Sequence, residues 1–272
     1  MGVFLPRYLY GIIGWPLGQT LSPLIHNTAF QVLNLPGTYL AWPVKPEKLE
    51  SFASAMRLLE IRGCSVTIPH KIAVLPLLDS VTERASLAGA VNTLFWRDGL
   101  LCGDNTDVAG FLAPLENVPL DQIDILLLGA GGAAHAVAAG LRLSGAHARV
   151  SSPGNRSQFE LSERFGFSPV LWQHRYDYPA ALVINSTPLG MRGAHENESP
   201  YDFNLAPRVE NGWAYDLVYN PLNTRFLREA EAAGRRCISG LAMFIAQGNA
   251  QFHIWTGRDL PPESEIALKN GL

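Results

Sequence analysis

The 272-residue chain is predicted to be an α/β protein of two domains, each built on a mainly parallel sheet. Three observations predict this. Strand-like and helix-like segments alternate along the N-terminal part. A second series of the same kind follows a Pro-rich break at residues 114–119 (PLENVP). The run at 123–129 (IDILLLG) is apolar almost without interruption, as a strand covered on both faces by crossover helices must be.

Taken in order, residues 8–14 (YLYGIIG) are short, apolar and end in Gly, as a buried strand does. Ser22 followed by Pro23 reads as an N-cap with Pro at the first helical position, opening a helix to about residue 33. Residues 39–44 read as a strand. Pro46 opens a helix in which Leu49, Phe52, Ala53, Met56 and Leu59 recur at the 3.6-residue period. Residues 63–68 and 91–96 are the next strands. Beyond the break, the 123–129 strand leads into a Gly/Ala-rich helix to about residue 143. Residues 147–151 read as a strand, 158–165 as a helix, and 181–185 and 213–217 as further strands. Residues 240–255 form a late helix that can pack back on the first domain.

Apolar residues make up 47% of the chain and charged residues 17%, enough apolar side chain for a core and too little charge for disorder. Net charge is −3, from 21 basic and 24 acidic residues with no charged block, so neither nucleic acid nor an anionic membrane is indicated as a partner. The stretch MGVFLPRYLYGIIGWPLG lacks the basic start of a leader and is broken by Pro6 and Arg7. No run of about 18 uncharged apolar residues is present. Cys64, Cys102 and Cys237 are odd in number and far apart, which argues against a disulfide framework and a zinc site; they read as reduced thiols of a cytoplasmic protein. No His, Cys, Asp or Glu spacing suggests a metal.

The sharpest local signal is Gly129-Ala130-Gly131-Gly132-Ala133-Ala134, placed between a strand and a helix. Gly129 permits the tight turn, Gly131 lets the backbone approach a pyrophosphate, Gly132 keeps that approach open, and Ala134 is small enough for helix–strand packing. The helix N-terminus then supplies free N–H groups and a favourable dipole. This predicts a Rossmann-type dinucleotide domain; the bland reading is a Gly-rich βα turn with no ligand. No Asp or Glu stands at the end of the second strand, near Ser151 and Ser152, for a ribose 2′-hydroxyl. Asn155-Arg156 follows instead, and Arg can pair with a 2′-phosphate. NADP is therefore favoured over NAD, although Arg156 also fits a solvated surface cation.

Four polar clusters fall in the first domain. Thr20 and Ser22 place two hydroxyls at a helix start, a carboxylate cradle or only a cap. Thr67 stands near the end of a buried strand and Lys71 just past it, where parallel sheets bind ligands, although a lysine is most often a surface residue. Asn92 sets an amide into an apolar segment. Asp104 and Asp107 are two carboxylates just before a helix, a position that also suits an N-cap. His26 and His135 each read as packing residues, and His70 as a residue of the cleft rim.

The whole set resembles one family, the shikimate dehydrogenases. The shared stretches are G-x-P-x-x-x-x-x-S-P-x-x-H-N from Gly14, S-V-T-I-P-H-K from Ser65, A-G-A-V-N-T from Ala88 and G-D-N-T-D-x-x-G from Gly103. They continue with G-A-G-G-A-A from Gly129, N-S-T-P-L-G-M from Asn185, D-L-V-Y-N-P-L-x-T from Asp216, G-x-x-M-F-x-x-Q from Gly240 and W-T-G at Trp255. They occur in family order along nearly the full chain.

The resemblance implies reversible NADPH-dependent reduction of 3-dehydroshikimate to shikimate, in the biosynthesis of chorismate and the aromatic amino acids. It implies a catalytic pair, Lys71 and Asp107. Thr20 and Ser22 would hold the substrate carboxylate with Tyr219 nearby, and Thr67, Asn92, Asp107 and Gln247 the ring hydroxyls. The NADP(H) site would comprise Gly129, Ala130, Gly131, Gly132, Ala133, Asn155, Arg156, Thr187, Gly240 and Met243. A substrate and catalytic domain would span residues 1–107 with 241–272, its C-terminal helices returning to it, and the cofactor domain residues 108–240. The partner is a small-molecule substrate, and the assembly a monomer or homodimer.

Three positions depart from the family pattern. Thr20 stands where Ser is usual, and its added methyl narrows the pocket. Ser65 stands where Asn is usual and loses an amide donor. The usual N-R-T is displaced to Ser151-Ser152-Pro153-Gly154-Asn155-Arg156. These keep open a quinate or dual quinate/shikimate dehydrogenase using NAD or NADP and an enzyme acting on another small carbocyclic acid; a non-catalytic dinucleotide-binding relative would be favoured only without the Lys71–Asp107 pair, and both residues are present.

Overall fold

The computed structural model describes residues 7–17 and 20–271; residues 1–6, part of the stretch weighed above as a leader, lie outside them. The chain divides into two compact units, one of Met1–Thr106 with Gln247–Leu272, the other of Asp107–Ala246.

The first unit runs β1 (Tyr8–Gly14), α1 (Ser22–Val32), β2 (Gly37–Pro43), α2 (Leu49–Leu58), β3 (Gly63–Val66), α3 (His70–Ala73), β4 (Ser80–Val81), α4 (Glu83–Ala88), β5 (Thr93–Arg97) and β6 (Leu100–Asp104). The strands lie in the order β2-β1-β3-β5-β6-β4. β1 is parallel to both β2 and β3, whereas β5 is antiparallel to β3 and to β6. The β5–β6 hairpin turns on Asp98 and Gly99, both left-handed at φ +52° and +78°, as a two-residue Asp-Gly turn requires. Ile13, Met56, Cys64, Val66, Val91, Leu94 and Leu101 belong to its main core cluster.

Two local expectations shift. Ser22 does not cap α1: Leu21 is the N-cap residue, without a side-chain bond, and Ser22 and Pro23 are the first two helical residues. The Ser22 N–H instead donates to Thr20 Oγ1 at 3.3 Å, so the hydroxyl two residues earlier takes up the orphan donor. The helix expected from Pro46 begins as a 3-10 turn, Pro46–Lys48, before α2 buries Leu49, Ala53 and Met56.

α5 (Thr106–Leu112) leads into the second unit, and residues 114–119 connect it to β7 (Ile125–Leu128). There follow α6 (Gly132–Leu143), β8 (Ala148–Ser151), α7 (Ser157–Phe165), β9 (Ser168–Val170), β10 (Leu182–Asn185), β11 (Trp213–Asp216), α8 (Arg225–Ala232) and β12 (Arg236–Ile238). The order is β12-β11-β10-β7-β8-β9, with each of these pairs parallel. Strand β7 lies between β10 and β8, and its four side chains are no more than 1% exposed. Each contributes about 1.5–3 kcal/mol by burial, which explains why the strand is uniformly apolar rather than alternating.

α9 (Gly240–Thr256) and α10 (Pro262–Gly271) end the chain. Phe252 of α9 packs with Tyr10, Ile12, Phe30 and Tyr39, and the Trp255 indole donates to the Leu94 carbonyl at 3.0 Å. α10 packs on α1. The C-terminal helices thus belong to the first unit from Gln247 onward.

At the start of α9 a glycine is required by close approach. A Cβ at Gly240 would lie 2.3 Å from the Leu217 carbonyl oxygen and 2.6 Å from its carbon. Backbone cannot retreat as a flexible side chain can, so Gly240→Ala is expected to cost about 3 kcal/mol, read as a lower urea midpoint. A midpoint unchanged from the parent would contradict the close packing.

Candidate active site

In the first unit the sheet ends gather three of the candidate residues. Thr67 continues β3, its N–H donating to the Ile13 carbonyl at 2.9 Å, and the Trp15 N–H returns a bond to Ile68 O at 2.9 Å. A Cβ at Gly14 would lie 2.5 Å from Thr67 Cγ2, so Gly14 makes room for that side chain. α3 then carries Lys71, half-buried, whose carbonyl accepts from the Val91 N–H at 2.8 Å. Asn92 is tied on both sides: its carbonyl accepts from the Val66 N–H at 2.7 Å and its N–H donates to Asp104 O at 3.0 Å. Backbone bonds alone therefore bring Thr67, Lys71 and Asn92 to one place, at the C-terminal ends of β1 and β3.

The Asn92 side chain is oriented without ambiguity. Its Oδ1 accepts from the Thr106 N–H at 2.7 Å, from the Thr93 hydroxyl at 2.7 Å and from the Thr106 hydroxyl at 3.1 Å. A backbone N–H can only donate, so the oxygen must face it and Nδ2 points the other way. Asp107 follows Thr106 in the first turn of α5 and is half-buried.

Asp104 has a different task. It accepts a bidentate pair from Arg84 at 2.6 and 2.6 Å, the Thr82 hydroxyl at 2.6 Å and the Asn105 N–H at 2.7 Å. Of the two carboxylates flanking the start of α5, this one is fully committed to structure. Sequence reasoning gives Arg84 no part, since nothing marks it as the partner of a residue twenty positions on.

Of the three histidines weighed above, His26 and His135 pack against aromatic rings, whereas His70, expected at the cleft rim, is 1% exposed and bonded to backbone. His26 is buried and stacked on Tyr39 at 4.6 Å, and burial pushes its pKa down to about 3, so it is neutral. His70 Nε2 lies 2.7 Å from the Val44 carbonyl. His135 packs edge-on against Phe165, and burial first and Arg164 second lower its pKa.

In the second unit, Gly129 sits at φ +104°, where a Cβ would also meet Ser186 Oγ at 2.6 Å. Gly131 and Gly132 face open space, with nothing within 4 Å of a Cβ on either. Gly131 is the N-cap residue of the twelve-residue helix α6 and gives it no side-chain cap. The helix thus presents uncapped N–H groups to a space clear of side chains, a fit for a pyrophosphate. Ala130 is half-buried beside it and Ala133 exposed. Asn155, left-handed at φ +47°, spends its amide oxygen on the Trp172 N–H at 2.6 Å and so fixes the turn. Arg156 heads α7 and is exposed.

The N-S-T-P-L-G-M and D-L-V-Y-N-P-L-x-T motifs interlock around buried Asp216. Asn185 Nδ2 donates to Asp216 Oδ1 at 2.9 Å, and Asn185 Oδ1 accepts from the Thr187 hydroxyl at 2.6 Å and its N–H at 2.9 Å. Asp216 also accepts from the Thr224 hydroxyl at 2.5 Å and the Val218 N–H at 3.0 Å. The Thr187 hydroxyl is thereby occupied within this hub. Tyr219, half-buried or deeper, packs its ring 5.1 Å from Phe244, one residue after half-buried Met243 on α9.

Burial pushes the Asp216 carboxyl up from 3.8 to about 6, against the pull of Thr224, Val218 and Asn185. Between those values the folded chain holds a proton that the unfolded chain releases. The stability this gives is complete below about 3.8 and is lost as pH rises through about 6, a change of about 3 kcal/mol. Asp216→Asn mimics the protonated acid. The difference in stability between parent and variant is therefore expected to move against the parent by that amount between pH 4 and 7, measured by urea unfolding. A difference that does not change with pH would contradict it.

Among the described residues no group of three or more His, Cys, Asp or Glu is placed to hold a metal, and no helix is long and apolar enough to cross a membrane.

A parallel α/β unit with an uncapped glycine-turn helix, joined in one chain to an α/β unit whose strand ends collect Lys, Thr and Asn, defines the class of two-domain nicotinamide-dependent dehydrogenases. Residues 12–94 match the family model described as the shikimate dehydrogenase substrate binding domain, and residues 240–264 match the shikimate 5′-dehydrogenase C-terminal domain. The chain is 52% identical to a shikimate dehydrogenase (NADP(+)) of Oleidesulfovibrio alaskensis, covering 97% of this chain and 95% of that one. It is 49% identical to the protein of that name from Pelobacter propionicus, over 97% and 96%. The solved shikimate 5-dehydrogenase of Thermus thermophilus, in complex with NADP(H) and shikimate, superposes with a TM-score of 0.88 at 37% identity, over 98% of this chain and 100% of that one. The chain belongs to the shikimate dehydrogenase family.

Proposed function

We propose that the protein is an NADP-dependent shikimate dehydrogenase, reversibly reducing 3-dehydroshikimate to shikimate in the cytoplasm. The observation that carries this reading is the backbone-enforced meeting of Thr67, Lys71 and Asn92 at the strand ends of the first unit, with the Asn92 amide donor turned away from Thr106. Its membership of the family supports the same reading, as do relatives whose names specify NADP(+).

NADPH, when bound, supplies the hydride that reduces the ring carbonyl. Every other part of the chemistry falls to the chain. The Lys71 ammonium hydrogen-bonds the carbonyl oxygen, polarises it and delivers the proton that turns it into a hydroxyl; in reverse it takes that proton back. Asp107, the second member of the catalytic pair, accepts from a ring hydroxyl. Thr67, Asn92 and Gln247 read the remaining hydroxyls, and Thr20 and Ser22 the carboxylate. The substrate is a small polyol acid with little apolar area, so its affinity rests on such bonds, and an analogue lacking one hydroxyl leaves a site group unpaired and is rejected. The α6 N-terminus and Gly129, Gly131 and Gly132 hold the pyrophosphate, and Arg156 the 2′-phosphate. Asn155, Thr187 and Gly240 would complete the cofactor site, Met243 would line the nicotinamide, and Tyr219 would lie near the substrate carboxylate.

The test is nicotinamide absorbance during oxidation of shikimate and of quinate, each with NADP and with NAD. Turnover with shikimate and NADP is expected. Folded protein that binds NADPH yet turns over neither acid would overturn the reading. Preference for quinate or NAD would move it to the related dehydrogenase, with Thr20 and Arg156 the residues to exchange.

A further inference from the structure

Gln251 lies one turn beyond Gln247, on the same face of α9. It is 2% exposed and bonded to three polar groups of the first unit. Its Nε2 donates to the Asn92 carbonyl at 3.2 Å and to Thr93 Oγ1 at 3.1 Å, and its Oε1 accepts from the Ser65 hydroxyl at 2.9 Å. The Tyr39 hydroxyl in turn donates to Ser65 Oγ at 2.7 Å.

The directions of the Gln251 bonds follow from one fixed acceptor. A carbonyl can only accept, so the Gln251 nitrogen must face Asn92 O and its oxygen must face Ser65. Because Gln251 donates to Thr93 Oγ1, the Thr93 hydrogen is turned away from it, toward Asn92 Oδ1 at 2.7 Å, the nearer of two acceptors in reach, with Thr106 Oγ1 at 3.1 Å. The Ser65 hydrogen is spent on Gln251, and its oxygen accepts from Tyr39. Ser65 therefore has no hydrogen to offer a substrate hydroxyl, although it stands where the amide donor of the sequence pattern is replaced.

We infer that Gln251 is a positioning residue that, together with the Thr106 N–H, holds the Asn92 amide for the substrate. It does so by turning the Thr93 hydroxyl onto Asn92 Oδ1 and by bracing the Asn92 carbonyl. The inference rests on the proposed function, in which Asn92 reads a ring hydroxyl. With Ser65 withdrawn into the Tyr39–Gln251 chain, recognition at this corner of the pocket falls on Asn92, and its orientation sets the affinity for shikimate.

Two replacements separate this from simple packing. Gln251→Glu keeps the shape but places a carboxylate oxygen against Asn92 O, and the Thr93 hydroxyl then turns to donate to the new acceptor, abandoning Asn92. Gln251→Met changes the chemistry and the shape of the tip but leaves Thr93 free to donate to Asn92. A positioning role predicts that the Glu variant raises KM for shikimate about tenfold and the Met variant about threefold. The KM for NADP is unchanged in both. A packing role predicts the reverse order in stability, with KM of the surviving active molecules unchanged. Thr93→Val, which deletes the same hydrogen bond without touching α9, is expected to raise KM for shikimate as the Glu variant does, and supplies the test if that variant does not fold. Steady-state kinetics with shikimate and NADP on parent and variants decide the matter. KM for shikimate within twofold of the parent in both the Glu and Val variants, or a larger rise in the Met variant than in the Glu variant, would overturn the assignment of Gln251 while leaving the function intact. A parent that does not turn over shikimate would overturn the function itself, and the role of Gln251 with it.

Discussion

Lys71→Ala is expected to lower kcat for shikimate oxidation by two to four orders of magnitude while changing KM for shikimate by no more than a few-fold. The range is the one that a positioned acid–base group supplies, about 10²–10⁴. The reasoning is differential: the proton moves as the carbonyl oxygen gains or loses charge, so the ammonium interacts more strongly with the transition state than with the bound alcohol. Substrate affinity, in the proposed function, is spread over Thr67, Asn92, Gln247 and the carboxylate cradle, none of which the substitution removes. The variant is expected to retain its geometry, because Lys71 is tied to the sheet through its backbone carbonyl, bonded to the Val91 N–H at 2.8 Å, and alanine keeps that bond. Steady-state kinetics at saturating NADP check the outcome. A kcat within a few-fold of the parent would remove Lys71 from the chemistry. A KM raised a hundredfold with kcat preserved would make it a binding charge alone, a uniform loss in ground and transition state. Lys71→Arg keeps the charge and loses the readily transferred proton, so it is expected to recover little of kcat.

How far the fold can be read depends on where its signals lie along the chain. Strand β7 is legible because a central parallel strand must be apolar on both faces, and 123–129 carries that run. The glycine turn is legible because three small residues at fixed spacing have a physical reason each. The β5–β6 hairpin escapes the reading despite a local signal, Asp98-Gly99, because the βαβ rhythm on either side makes a parallel crossover the expected connection. The short outer strands β4, β9 and β12 are two or three residues long and carry no periodicity to read. The Ser22 cap fails for a related reason: Ser-Pro is compatible with a cap one residue earlier, and only the Thr20 hydroxyl, lying 3.3 Å from the Ser22 N–H, shows which register holds.

The candidate site divides along the same line. Residues that act at strand ends, Thr67, Lys71 and Asn92, stand in compact motifs and are visible. Residues that act by holding others, Gln251 for Asn92 and Arg84 for Asp104, are not, because their partners lie 159 and 20 positions away in the chain. Ser65 is visible as a departure, but its consequence is not: the missing amide is answered by a hydroxyl turned inward to Gln251 rather than by a weaker donor to substrate. Asn185 and Asp216 read as motif residues without a reason, and the reason is a shared buried hub.

The second large effect separates the two carboxylates at the start of α5, Asp104 before it and Asp107 in its first turn. Arg84→Met is expected to destabilise the protein by about 3 kcal/mol, the low end of what removing one partner of a buried ion pair costs. The low end applies because the Arg84 side chain is itself 32% exposed and because Asp104 keeps the Thr82 hydroxyl and the Asn105 N–H. Asp104 is only 5% exposed, so without Arg84 its charge has few other means of compensation. Replacing the carboxylate as well, in Arg84→Met/Asp104→Asn, removes the orphaned charge, and the double variant is expected to be less destabilised than the two single variants added together, by at least about 1 kcal/mol. Urea unfolding of the four proteins measures this coupling. Because the Asn92 N–H donates to the Asp104 backbone carbonyl rather than to its side chain, the substrate amide keeps its support, and Asp104→Asn is expected to hold kcat within about threefold of the parent at temperatures where it is folded. Asp107→Asn is expected to do the opposite, losing activity with little loss of stability. If Asp104→Asn instead abolished turnover while unfolding at the parent's urea concentration, Asp104 and not Asp107 would be the carboxylate that works with Lys71. The bidentate bond to Arg84 would then have to be read as tuning the reaction rather than holding α4 to β6.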